Sequence, residues 1–205
     1  MRDFFKNNGR LIWRLVLNQF GLTVFGLMTS MAAAALDSSM SNGDGTMRRT
    51  CMIWVSVFAI LFYMYIDYMA IKEEGQRDKI RADAGRITLD VWRGLKIALC
   101  AGAVNILLAV CVFVFGLLGA ENGPALEWAG GISGSAKILA AVIQAMYWGV
   151  MLGWSGAATI AEVPTFAFAL IPLPAIAVST VAYVLGTREF SMFKALKKLF
   201  TPEGK

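Results

Sequence analysis

Long, nearly uncharged apolar runs recur along this chain, each close to the length of a helix that crosses the roughly 30 Å hydrocarbon layer of a bilayer. Five can be traced: from Leu11 to about Leu36, Cys51 to about Ile71, Leu95 to Leu118, Ile138 to about Ala161, and Val163 to Gly186. Hydrophobic residues make up 58% of the 205, and only 16% are charged, where a soluble domain carries about 25%. The expectation is an all-α fold, a polytopic transmembrane helical bundle forming one integral membrane domain over residues 1–205.

The polar stretches between the runs set the orientation. Arg2, Lys6 and Arg10 face one acid, Asp3, in the first ten residues, which places the N-terminus in the cytoplasm by the positive-inside bias. Residues 37–50, with Gly43, Asp44 and Gly45, have the composition of an external loop. Residues 72–94 mix Lys72, Arg77, Lys79, Arg81, Arg86 and Arg93 with five acids and read as a cytoplasmic charged loop. Glu73 to Arg77 and Lys79 to Asp83 are spaced four apart, so a short helix with internal ion pairs is expected up to Gly85. A solvated face explains these charges, and a docking site for a partner is the alternative. Residues 120–136, rich in Gly and Ser, are expected to form another external loop anchored by Trp128.

The last two runs conflict with simple counting. Five crossings would put residues 187–205 outside, yet Arg188, Lys194, Lys197 and Lys198 follow the membrane directly. The charge bias favours an even number of crossings with both termini inside, one segment being broken or re-entrant. Pro172 and Pro174 remove backbone donors and are the expected helix break. The tail spaces Phe190, Phe193, Leu196 and Phe200 by three or four, as an amphipathic basic helix on the inner leaflet would.

Composition also excludes chemistry. Histidine is absent, which removes the commonest general base and transition-metal ligand. Cys51, Cys100 and Cys111 lie singly, without metal-ligand spacing. No enzyme, no metal and no cofactor is expected. The net charge of +5 is explained by anionic lipid headgroups rather than nucleic acid. No signal peptide is expected, because the first apolar run is longer than a signal h-region.

Asp67 is the one acid well inside an apolar run, and a buried acid in a membrane usually faces a partner, a cavity or a proton path. The bland alternative is an interfacial pair with Lys72. Asn18, Gln19, Asn105 and Gln144 are amides within expected spans. Each serves either as packing glue between helices or, turned toward Asp67, as the wall of a neutral polar site for a small solute. Gly149 and Gly153 form a GxxxG that permits close helix packing or self-association. A broken helix near Pro172 and Pro174 would add free backbone groups to such a site. The expected function is small-solute binding or transport as a plasma-membrane subunit. The alternative is a non-catalytic membrane partner or assembly protein, with membrane lipids and a partner subunit or homo-oligomer as its contacts.

Overall fold

The computed structural model describes residues 2–40, 45–122, 127–156, 159 and 162–188. Its described elements are helical: α1 (Arg2–Met40), α2 (Thr46–Asp83), α3 (Arg93–Ala101), α4 (Ala103–Asn122), α5 (Glu127–Ile143), a 3₁₀ turn (Ala145–Tyr147), α6 (Trp148–Ser155), α7 (Thr165–Leu170) and α8 (Pro172–Thr187). The amphipathic helix expected over residues 187–205 falls almost wholly outside the described residues.

Three stretches are long and apolar enough to cross a membrane: Asn8–Leu36, Arg48–Asp83 and Thr165–Thr187. Two further pairs qualify if each bent pair is one span, α3 with α4 at 64° and α5 with the segment to Ser155 at 85°. The bundle therefore holds three to five candidate spans.

Helix extends beyond the apolar runs, as expected up to about Gly85 in the 72–94 segment and against expectation in parts of the external loops. The 72–94 segment is mostly α2 itself, which runs unbroken to Asp83; only residues 84–92 connect it to α3. The expected ion pairs form within it, Arg77 to Glu73 at 2.8 Å and Lys79 to Asp83 at 2.6 Å. α1 likewise runs on to Met40, and α4 and α5 together occupy most of the 120–136 segment. Helical hydrogen bonds need no apolar side chains, so a helix already nucleated in an apolar run continues into polar sequence until a breaker stops it.

At the prolines the helix is interrupted, but only for one residue. α7 and α8 meet at the single turn residue Ile171, and Thr165–Thr187 still qualifies as one span. Pro172 and Pro174 occupy the first turn of α8, and their missing N–H groups interrupt the hydrogen-bond ladder coming from α7. The sharp bends lie at Gly102 and at Gln144, whose backbone leaves the helical region at φ −115°, ψ 28°.

Contacts orient the bent pair α5–α6. Near its start, Trp128 meets Phe115 late in α4, with ring centroids 6.1 Å apart. Near its end, Trp154 meets Phe166 at 5.8 Å, and Arg49 at the start of α2 donates to the Gly153 carbonyl at 3.1 Å. The turn between them lies against Gly26, midway along α1. α5 and α6 thus enter and leave at one end of the bundle.

At the opposite end meet the start of α1, the end of α2, the start of α3 and the end of α8. Helix α2 packs on α1, α6 and α8, while α4 packs on α5 and α7. Glycine permits the tightest of these approaches. A Cβ on Gly75 would lie 2.6 Å from the Tyr183 carbonyl oxygen, and one on Gly186 would overlap the Lys72 carbonyl. Gly149 presses its backbone on Met52, so the GxxxG helix is packed against α2 of its own chain.

Candidate functional site

Two polar clusters lie inside the bundle. The deeper one surrounds Asp67, which is 3% exposed. Asn18 of α1 donates its amide N–H to Asp67 Oδ1 at 3.4 Å, and Tyr63, one turn earlier, lines the same small cavity as the carboxylate. Lys72 is not its partner: the ammonium lies 5.3 Å over the Tyr68 ring. No described lysine or arginine pairs with Asp67, so the interfacial ion pair considered from sequence does not form.

Beside Asp67 is a cavity of about 20 Å³ lined by Tyr63, Asn105, Pro172, Ile176 and Ser179 among others. A single water needs about 10–15 Å³ on this measure, so the space takes one water or one bare ion. Of the residues singled out from sequence, Asp67, Asn105 and Pro172 meet here. Asn18 reaches the carboxylate, while Gln144 does not line the cavity.

The other amides are committed elsewhere. Gln19 and Asn105 form a reciprocal pair, with N···O distances of 3.0 and 2.9 Å, that closes both amides on each other across α1 and α4. Gln144 is 2% exposed at the α5–α6 bend, and its Oε1 accepts no hydrogen bond from the described residues. Carbonyls freed by that bend find side-chain donors: Thr23 Oγ1 donates to Ile143 at 2.6 Å, and Trp148 Nε1 to Ala141 at 2.7 Å. Buried backbone that leaves the helical pattern persists only with such partners.

The second cluster escaped the sequence reading. Asp78, 1% exposed, accepts from Arg93 Nη1 and, at 2.7 Å, from the Tyr183 hydroxyl. Arg93 also donates through Nε and Nη2 to Asn8 Oδ1 at 3.0 and 2.7 Å. Asn8 in turn donates to the Phe4 carbonyl at 2.9 Å. One buried network thus ties together α1, α2, α3 and α8. Its signal was present in the spacing. The buried side of α2 steps through Met52, Ser56, Ala59, Tyr63, Asp67, Ile71, Gly75 and Asp78 at intervals of three or four, as one face of an unbroken helix does.

On the connecting segment, the Lys96 ammonium at 2.7 Å holds the Asp90 carboxyl below its ordinary range, assisted by the Trp92 backbone N–H. Among the described residues, no group of three or more His, Cys, Asp or Glu side chains could hold a metal ion. Comparison with known protein families, curated proteins and solved structures finds no match.

Proposed function

We propose that the chain is a multi-pass plasma-membrane protein that carries or senses a proton or one small monovalent cation at Asp67. The observation behind this reading is a buried carboxylate with only neutral partners beside a cavity sized for one water or ion. An uncompensated carboxylate in a low-dielectric interior costs several kcal/mol, which a proton or bound cation relieves. The size of the cavity and the closed Gln19–Asn105 pair argue against an organic solute in this conformation.

Four crossings go with the proposal: α1, α2, α3 with α4, and α7 with α8, while α5–α6 is a re-entrant pair. Its support is that α5 and α6 begin and end at one end of the bundle, whereas the starts of α1 and α3 and the ends of α2 and α8 share the other. Basic residues crowd that second end, which favours a cytoplasmic N-terminus.

The test is reconstitution into vesicles with pH- and cation-sensitive dyes, comparing the unaltered chain with Asp67→Asn. The expected result is a proton or alkali-cation flux, or saturable cation binding, that the variant loses while remaining folded. If the two proteins behave alike, the Asp67 reading fails. The membrane-partner or assembly role then leads, with the reciprocal amide pair acting purely as helix-to-helix glue.

A further inference from the structure

We propose that the groove between α1 and α2 at the basic end of the bundle binds the phosphate headgroup of an anionic phospholipid. The groove measures about 620 Å³, and Arg10 and Arg14 from α1 and Arg77 and Arg81 from α2 contribute to its walls. Glu73 and Glu74 also line it, so four guanidinium groups face two carboxylates.

Those charges are unequally satisfied. Arg77 pairs with Glu73 at 2.8 Å, and Arg81 lies 3.9 Å from Glu74. Arg10 and Arg14 are exposed and make no ion pair with any described residue. They stand four apart on one helix, an arrangement in which like charges repel. An anion held between them removes that repulsion and adds charge-assisted hydrogen bonds, which guanidinium forms well with phosphate.

The rest of the lining favours a lipid over a free anion. Trp13 and Leu17 continue the groove from the arginines into the apolar part of α1, and they are 62% and 48% exposed. An arginine cluster at the mouth with an apolar wall leading inward matches a headgroup followed by an acyl chain, and basic pockets between membrane helices recognise such headgroups. The inference rests on the chain being membrane-inserted and is independent of Asp67.

The test uses the full chain in neutral detergent, titrated with phosphatidylglycerol, with phosphatidylcholine of the same acyl chains, and with inorganic phosphate. Binding is read by native mass spectrometry and by the shift in thermal unfolding. Expected is saturable binding of phosphatidylglycerol that weakens with added salt, about 30-fold weaker in Arg10→Gln/Arg14→Gln, as removal of two arginines near a lipid headgroup implies. Arg86→Gln, outside the groove, should bind as the unaltered chain does. Three results would overturn the proposal: phosphatidylcholine binding equally well, inorganic phosphate matching the lipid, or equal losses in both variants. Should the double variant not fold, absence of any salt dependence in the unaltered protein overturns it equally.

Discussion

The Tyr183 hydroxyl donates to Asp78 Oδ2 at 2.7 Å, joining the last turns of α8 to the polar end of α2 across 105 residues of sequence. Both side chains are about 1% exposed, and the same carboxylate holds Arg93. Removing one member of a buried charged network costs more than the contact itself, because the group left behind has lost its solvent as well as its partner.

Arg93→Ala is therefore expected to destabilise the protein by about 3 kcal/mol, at the low end for a broken buried pair. Arg93 retains 17% side-chain exposure and Arg81 stands 3.6 Å from Asp78, which softens the loss. Tyr183→Phe should cost about 1.5–3 kcal/mol, the worth of one hydrogen bond to a charged group. Unfolding in detergent, followed by helical circular dichroism, checks both; equal stability of Arg93→Ala and the parent would show that the network does not hold these helices.

The reciprocal Gln19–Asn105 pair predicts coupling. Each single change to Leu strands one amide, Gln19 buried or Asn105 half-buried, whereas the double change removes both. The double variant should thus lose less than the sum of the singles, with a coupling energy of about 0.6–1.7 kcal/mol, the range measured for such bonds between membrane helices. A complete double-mutant cycle in detergent gives that number directly, and strict additivity would mean that the two amides act separately.

A graded glycine series tests the close packing of α6 on α2. In Gly149→Ala the new methyl would overlap the Met52 carbonyl and crowd Ser56 Oγ, and backbone cannot move aside as a side chain can. A loss of about 1–3 kcal/mol is expected from overpacking. Gly153→Ala meets only the Ile53 side chain at 2.7 Å and should lose less. Gly21→Ala, inside α1 with nothing within 4 Å, should gain about 0.5–1 kcal/mol from helix propensity. Thermal midpoints out of this order would contradict the described packing.

Asp90 predicts a small acid-range effect. Its carboxyl titrates below the ordinary value because Lys96 favours the charged form. A depressed folded-state value means that the contribution is present above the unfolded value of about 3.9 and is lost as pH falls through the lower folded one. The pair is largely exposed, so its worth is at most about 1 kcal/mol. Lys96→Ala should flatten the stability profile only in that acid window; an equal change at neutral and acid pH would point to packing rather than charge.

The apolar runs made the helical class and the candidate membrane segments legible, because span length is a property of consecutive residues. Bends were harder to locate. Pro172 and Pro174 do part α7 from α8, but only at Ile171, and Thr165–Thr187 still counts as one span. Gln144, which does mark an 85° bend, carries no local breaking signal; its irregular backbone survives because Thr23 and Trp148 supply donors, and those contacts are set by the tertiary fold. Asp67 and Asn105 could be singled out for their polarity in apolar surroundings. Asp78 could be found only by helical phase, since composition does not tell a buried carboxylate from solvated ones within a strongly charged stretch.

The seam between α2 and α8 also bears on the order of biogenesis. Gly75 and Gly186 bring two backbones together beside Asp78 and Tyr183, yet α8 is the last helix described and leaves the ribosome long after α2. Until it arrives, Asp78 has its arginine but not the Tyr183 hydroxyl, and the Gly75 side of α2 lacks its cover. A chain stalled or truncated before α8 would display that face to membrane chaperones and proteases.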